Sequence, residues 1–151
     1  MSDDLQDLYQ EVILDHNKRP RNRGRLDHAT CDAEGYNPLC GDHVHVYLQV
    51  EDGRVTDIRF EGSGCAISTA SASMMTESVK GKTLEEAKEL FRNFHAFVTR
   101  DKVETDLGNG LGKLEVFSGV CQYPARVKCA TLAWHTVQAA LENRTDTVST
   151  E

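Results

Sequence analysis

The sequence predicts an α+β domain in which helices pack on one face of a small three-stranded antiparallel sheet, with one helix before the sheet. Three observations predict it: the chain opens on an amphipathic segment, two alternating segments joined by a tight turn follow, and the remainder has helical periodicity. Strands that precede a run of helices are typical of the α+β class, because the helices then cover one face of the sheet.

The opening helix is predicted from about Asp4 to Lys18, where apolar residues recur at helical spacing before Pro20 breaks the pattern. A dense basic segment follows at residues 18–25, with five Lys or Arg in eight residues. We interpret it as a solvated loop or as a docking site for an acidic partner. Nucleic acid is disfavoured, because no aromatic residue interleaves the charges.

The predicted sheet is built from a hairpin and one further strand. Apolar and polar residues alternate over residues 43–50 and again over 55–60, and the acidic, glycine-containing residues 51–54 between them predict a tight turn. Residues 29–36 predict a third strand, and residues 37–39 after it predict a loop.

After Gly64 the chain is predicted to be helical in three segments. The first is rich in serine and alanine and ends near Gly81, and Thr83 with Glu86 forms a capping box at the start of the second. Pro124 suits the first turn of the last helix. The predicted buried positions are, in order along the three helices, Ile67, Ala70, Met74 and Ser78; Leu84, Ala87, Leu90, Phe91, Phe94 and Phe97; and Val127, Ala130, Trp134, Val137 and Leu141.

Length and charge limit the class of protein. The 151 residues predict one domain over 1–151, with a polar tail expected to fray from about residue 143. Acidic residues outnumber basic ones by 24 to 17, which disfavours nucleic acid as a partner. No apolar run approaches the roughly 18 residues that a membrane span needs, and the acidic first residues are unlike a secretory signal. We therefore expect a cytoplasmic protein with no membrane partner.

The five cysteines are the unusual feature of the composition. An odd number without a secretory signal argues against a disulfide framework. Cys40, Cys65 and Cys129 lie at the ends of predicted elements, where functional groups tend to collect. Cys31 and Cys121 are not flanked by glycines and have no acidic residue at ligand spacing, so we interpret them as ordinary small side chains. Cys121 lies near the start of the last predicted helix, so an alternative is that its thiol contacts the ligands of a metal site without binding the metal.

A metal centre is one interpretation of these cysteines. Asp42 follows Cys40 by two residues, so in a flexible or extended loop both side chains can turn toward one ion, and Cys65 and Cys129 would complete a tetrahedral set. Three thiolates and a carboxylate suit Zn²⁺. Cys65 precedes a helix, whose dipole favours a thiolate, and Cys129 lies off the main apolar stripe of the last helix. Spacing alone leaves open the alternative of three unrelated buried cysteines.

Two histidines allow a different chemistry. His43 and His45 follow Cys40 closely, and a Cys/His pair is the arrangement used in nucleophilic catalysis. Since alternate residues of a strand share one face, the same two histidines can simply be solvated there. A hydrolase of this kind would depend on His43 or His45 and would keep its activity after metal removal.

The three cysteine blocks resemble a known family. Tyr-Asn-Pro-Leu-Cys-Gly-Asp at 36–42, Gly-Ser-Gly-Cys-Ala-Ile-Ser at 62–68 and Tyr-Pro-Ala-Arg-Val-Lys-Cys at 123–129 are similar to the signature blocks of IscU/NifU-like iron–sulfur assembly proteins. The resemblance covers roughly residues 5–142 and is greatest to the SufU branch. Lys128 stands where the IscU branch has a histidine, and the stretch between the second and third cysteine blocks is longer by about one helix.

The resemblance implies a SufE/NifU-like fold and a zinc site formed by Cys40, Asp42, Cys65 and Cys129. It implies a partner, a pyridoxal-phosphate cysteine desulfurase of the SufS type, whose persulfide sulfur is accepted on Cys40 and passed to the SufBCD assembly complex. Two alternatives stay open: a scaffold that assembles an iron–sulfur cluster on the same cysteines, with iron in place of zinc, and a structural zinc module that binds other proteins.

Two cationic residues beside the third cysteine add a hypothesis. Arg126 and Lys128 precede Cys129 closely in the sequence, so either can stabilise a released thiolate or contact the partner.

Overall fold

A computed structural model describes residues 2–27, 29–38, 41–99, 114, 117, 124–142 and 148–149. Along these described residues a helix comes first, three strands follow, and three further helices precede a two-residue strand. The elements are α1 (Ser2–Lys18), β1 (Cys31–Asn37), β2 (Asp42–Glu51), β3 (Arg54–Ser63), α2 (Ala66–Val79), α3 (Leu84–Thr99), α4 (Pro124–Leu141) and β4 (Val148–Ser149). The predicted fold class is confirmed.

The sheet has the strand order β3-β2-β1-β4. Its first three strands pair antiparallel, as predicted, and the β2–β3 turn holds Asp52 and Gly53 at φ 54° and 74°. Positive φ at both central residues matches the right-handed twist of a two-residue hairpin. The added strand β4 pairs parallel with β1 at Gly35 and Tyr36. Two residues are too few to show an alternating pattern, so the sequence did not predict it.

The core lies between one face of the sheet and the helices. Val44, Val46 and Leu48 of β2 point into it, since alternate residues of a strand share a face. Helix α2 is buried on several sides, so its predicted stripe was too narrow: Ser71 and Ser73 are fully buried beside the apolar residues. Ser71 faces α4, where its hydroxyl donates to the Ala130 carbonyl at 2.5 Å, whereas Ser73 faces α1 and its hydroxyl lies 2.7 Å from His16 Nδ1.

Helix α3 begins with the predicted capping box. The Thr83 N–H donates to Glu86 Oε1 at 2.9 Å, and the Glu86 N–H donates to Thr83 Oγ1 at 3.1 Å. The hydrogen bond from the Thr83 backbone lowers the pKa of the Glu86 carboxyl. The apolar face of α3 packs on α4, where the Phe94 ring stacks on the Trp134 indole with centroids 4.6 Å apart.

The basic segment 18–25 forms contacts within its own chain. Arg21 pairs with Asp15 at 2.6 Å, and Arg25 Nε lies 3.8 Å from Glu61 Oε1. The backbone of the segment covers an edge of the sheet, because the N–H of Phe60 donates to the Asn22 carbonyl at 3.1 Å. These pairs satisfy part of its charge, and its role toward a partner stays a prediction.

Several predictions concern parts of the chain outside the described residues. They include Cys40, Cys121 and the predicted tail from residue 143, of which only Val148–Ser149 is described. The extent of the domain therefore stays a prediction. Within the described ranges, no helix combines the length and the apolar character that crossing a membrane requires.

Candidate metal centre

Asp42 is the first residue of β2 and lies opposite Asn37, the last residue of β1. The sequence predicted a loop at residues 37–39 and placed Asp42 in a flexible or extended loop; both Asn37 and Asp42 belong instead to strands. Their side chains are fully buried, because the register turns both residues toward the core. A buried carboxylate needs hydrogen-bond donors or a cation, so its surroundings decide its role.

The Asp42 carboxylate is held by the chain that enters α2. Its Oδ1 accepts the backbone N–H of Cys65 at 2.9 Å, and its Oδ2 lies 3.9 Å from Cys65 Sγ. Gly64 makes this approach possible: a Cβ at this position would lie 2.6 Å from Asp42 Oδ1. One oxygen is thus fixed by the backbone, while the other is aimed at the sulfur.

Cys65 is the N-cap of α2, as its place before a predicted helix suggested. Its Sγ accepts the backbone N–H of Ser68 at 3.4 Å. The N-terminal N–H groups of a helix attract negative charge, so an anionic ligand is favoured here. The residue as a whole is exposed and its side chain is partly buried in the cluster, so its sulfur is more accessible than that of Cys129.

Cys129 contributes the third ligand atom from α4. It is only 3% exposed, and the side-chain amide of Asn37 donates to its Sγ at 3.7 Å. Although Cys129 lies off the apolar stripe predicted for α4, it is buried, because α4 packs against both the sheet and α2. The ligand atoms of Asp42, Cys65 and Cys129 lie within 4.8 Å of one another.

This donor set fits zinc. Zinc in proteins is bound tetrahedrally by sulfur at about 2.3 Å and carboxylate oxygen at about 2.1 Å, so its ligand atoms are about 3.3–3.8 Å apart. The 3.9 Å between Asp42 Oδ2 and Cys65 Sγ is close to this spacing. In the part of the chain that the structure describes, no other group of three metal-ligating side chains converges in this way.

The remaining predicted site residues lie at different places. Cys40 is outside the described residues. Arg126 is exposed in the first turn of α4, and Lys128, directly before Cys129, is partly exposed. Cys31 begins β1, at the end of the strand away from Asn37, and burial raises the pKa of its thiol. Cys31 is not part of the cluster.

The two strand histidines lie on the other face of the sheet. His45 Nε2 is 2.5 Å from Asp32 Oδ2, and His43 Nε2 is 3.7 Å from Glu34 Oε2. Tyr47, beside them, has its pKa raised to about 12 by burial and by its hydrogen bond to Glu61. Because these acidic partners engage both imidazoles away from Cys65 and Cys129, the geometry disfavours a Cys/His nucleophilic pair at those two thiols.

Sequence reasoning missed Asn37, whose amide touches a candidate ligand. It stood inside the first cysteine block, but its neighbour Pro38 favoured a loop and hid the strand. Pairing with Asp42 across the sheet turns the Asn37 side chain inward, and only the tertiary structure shows this.

Comparison with known proteins places this geometry in a family. The sequence model of the family named NifU-like N terminal domain matches residues 8–149 of this chain. The chain is 40% identical over 134 residues to the zinc-dependent sulfurtransferase SufU of Bacillus subtilis, and the matched residues make up 89% of this chain and 89% of that protein. It is 44% identical over 138 residues to the iron–sulfur cluster assembly scaffold protein IscU of Thermotoga maritima, covering 89% of this chain and 93% of that protein.

Solved structures agree with the sequence match. A candidate iron–sulfur cluster assembly scaffold protein for the SUF system from Fervidobacterium islandicum superposes with a TM-score of 0.79 at 37% identity, over 87% of this chain and 94% of that one. An N-terminal NifU-like protein from Brucella abortus gives a TM-score of 0.80 at 27% identity, over 91% and 94%. The chain therefore belongs to the NifU-like N-terminal domain family, among the SufU- and IscU-type proteins of iron–sulfur cluster assembly.

Proposed function

We propose that this chain is a zinc-dependent sulfur acceptor and carrier, which takes persulfide sulfur from a cysteine desulfurase and delivers it for iron–sulfur cluster assembly. The observation that carries the proposal is the convergence of Asp42, Cys65 and Cys129 within 4.8 Å. The name of the Bacillus subtilis relative, a zinc-dependent sulfurtransferase, supports the same chemistry.

Cys40 is the proposed fourth zinc ligand and the sulfur acceptor. It precedes Asp42 by two residues, so the two Cα atoms are at most about 7 Å apart. The Gly41 N–H donates to the Asn37 carbonyl at 2.8 Å, so these two residues, on either side of Cys40 in the sequence, lie close together. When bound, zinc would keep the ligand thiols deprotonated and protect them from oxidation.

The proposed transfer is a thiolate exchange at sulfur. The Cys40 thiolate attacks the terminal sulfur of the desulfurase persulfide, so a new S–S bond forms at Cys40 Sγ while the S–S bond on the desulfurase breaks. The desulfurase cysteine leaves as a thiolate, and the terminal sulfur keeps its proton. No net oxidation occurs, because one persulfide is exchanged for another.

The proposed partners are a pyridoxal-phosphate cysteine desulfurase of the SufS type as donor and the SufBCD complex as recipient. Arg126 and Lys128 are proposed to assist, since both are cationic and lie within one turn of Cys129 on α4. We expect Arg126→Ala and Lys128→Ala to slow sulfur transfer with zinc content unchanged. Transfer at the rate of the unchanged protein would disprove this assistance.

The function is tested by measuring metal and sulfur on the same protein. The chain is purified without chelator, its zinc is counted by plasma mass spectrometry, and it is then mixed with a SufS-type desulfurase and cysteine. Intact-protein mass reports added sulfur on the unchanged chain, on Cys40→Ser and on Cys31→Ser. Cys31→Ser is the matched control, because it removes a half-buried thiol that lies outside the cluster.

We expect one zinc per chain, with sulfur added to the unchanged chain and to Cys31→Ser but not to Cys40→Ser. Zinc without any sulfur uptake would contradict the carrier function and would favour a structural zinc module. Sulfur uptake by Cys40→Ser equal to that of the unchanged chain would contradict Cys40 as the acceptor.

The second candidate function is a scaffold that assembles an iron–sulfur cluster on the same ligands. The Thermotoga maritima relative, 44% identical, is named as such a scaffold. Oxygen-free reconstitution with iron and sulfide distinguishes the two functions. A visible absorption that survives desalting and is lost in Cys129→Ser would favour the scaffold, whereas the carrier function predicts no stable chromophore.

A further inference from the structure

Asn37 is a fully buried amide with a sulfur atom as one of its partners. It is the last residue of β1, its side chain is 0% exposed, and its Nδ2 donates to Cys129 Sγ at 3.7 Å. Burying an amide is costly unless its hydrogen-bonding groups are satisfied, so its place in the core calls for a physical reason.

The backbone of Asn37 links the other parts of the candidate site. Its carbonyl accepts the Gly41 N–H at 2.8 Å, which closes the segment that contains Cys40 in the sequence. Across the sheet it is paired with Asp42. One residue therefore connects β1, the segment before β2 and, through its side chain, the sulfur on α4.

We propose that Asn37 is a positioning residue of the metal centre, whose side-chain N–H orients Cys129 Sγ and draws electron density from it. The inference rests on the metal site of the proposed function. Residues behind the ligands of a metal site commonly orient them and tune the bond, and their loss typically weakens metal binding by 10–100-fold.

Burial and the kind of hydrogen-bond donor distinguish the two described sulfurs. Cys129 is buried and accepts a side-chain donor, whereas Cys65 is exposed and accepts a backbone N–H from its own helix. An N–H donor makes a sulfur less nucleophilic, because it stabilises the lone pair that would attack. Both sulfurs accept an N–H, at 3.7 Å for Cys129 and 3.4 Å for Cys65, so burial is the property that separates them. Cys129, buried and oriented by Asn37, is suited to remain a ligand, and sulfur chemistry is left to a more accessible thiol.

The test uses Co²⁺ as the probe, because its charge-transfer absorption depends on the electron density of the thiolate ligands. Asn37→Leu removes the donor at nearly constant volume, and Asn37→Asp keeps the shape while replacing the N–H by an oxygen. Thr136→Val is the matched control, because it removes a buried hydroxyl on the same helix, which donates to the Leu132 carbonyl at 2.8 Å, at nearly constant volume. Zinc affinity is measured in parallel by competition with a chromophoric chelator.

We expect the cobalt charge-transfer band to move to longer wavelength in Asn37→Leu, since the sulfur lone pair is no longer stabilised. Zinc affinity should fall at least about tenfold in both Asn37 variants. Thr136→Val should lower the melting temperature while leaving band and affinity unchanged. If Asn37→Leu does not fold, the zinc affinity of Asn37→Asp tests the role of Asn37 instead.

Two results would overturn the inference in different ways. A normal cobalt band in the unchanged protein, with the same band and affinity in the folded Asn37 variants, would refute the role of Asn37 alone. The absence of any cobalt–thiolate band in the unchanged protein would refute the metal site as well, and the proposed function with it.

Discussion

The close contact between Gly64 and Asp42 gives the sharpest prediction. Gly64→Ala adds one carbon that would lie 2.6 Å from Asp42 Oδ1 and 3.1 Å from its Cγ. The backbone at Gly64 is not in the left-handed region, so alanine meets no conformational strain there. The whole effect of the substitution therefore falls on the Asp42 carboxylate.

The magnitude follows from the two distances at Oδ1. Ordinary van der Waals contact begins near 3.4 Å, so the oxygen must retreat from 2.6 Å, and its 2.9 Å bond to the Cys65 N–H is lost or distorted. A hydrogen bond to a charged group contributes about 1.5–3 kcal/mol. We expect metal-free Gly64→Ala to lose about 2 kcal/mol of unfolding free energy, and zinc affinity to fall about 10–100-fold as Asp42 is misdirected.

Urea unfolding in excess chelator measures the first quantity, and competition with a chromophoric chelator measures the second. Gly35→Ala is the matched control, because a Cβ there also collides with a buried group, Thr136 Oγ1, and Gly35 has no positive φ. It should lose stability without a comparable loss of zinc affinity. A Gly64→Ala protein that binds zinc as tightly as the unchanged chain would refute the assignment of Asp42 as a ligand.

Three further predictions concern metal removal, acid and a helix cap. Chelation should lower the melting temperature in calorimetry, because zinc at 100 times its Kd adds about 2.7 kcal/mol to the folded state; an unchanged melting temperature would contradict the site. Burial, and then the nearby His95, lower the pKa of the His135 imidazole below its ordinary value. The unfolded chain therefore binds more protons at this residue than the folded protein does. The contribution of neutral His135 to folding stability is complete above about pH 6.5 and is lost as the pH falls. His135→Leu should flatten the dependence of unfolding free energy on pH between about 5 and 7. An unaltered slope would argue against a contribution of His135 to the loss of stability in acid. Thr83→Ala should cost about 1 kcal/mol of unfolding free energy, because the Glu86 N–H loses its hydroxyl acceptor. Most of the lowering of the Glu86 carboxyl pKa should remain in an NMR titration, since the backbone N–H of residue 83 still donates to that carboxyl, and a full return to the ordinary pKa would argue against the backbone as the main cause.

Local patterns in the sequence predicted most of the elements. Alternation predicted the β2–β3 hairpin, and the spacing of Thr83 and Glu86 predicted the start of α3, because these signals lie within a few residues of each other. The stripes predicted for α2 and α4 were too narrow. Periodicity shows only one buried face, whereas α2 packs against α1, α4 and β3 together.

The amino-acid sequence by itself determined the fold class, the order of the elements from α1 to α4 and the residue types from which a zinc site can be made. The family resemblance implied that Asp42, Cys65 and Cys129 share a site, but spacing alone left this open, and the tertiary structure brings their ligand atoms together and shows that Asn37 donates to one of the sulfurs. The physical reason is distance along the chain: 23 residues separate Asp42 from Cys65, and 92 separate Asn37 from Cys129. Contacts at that separation depend on strand register and helix packing, which no local pattern contains.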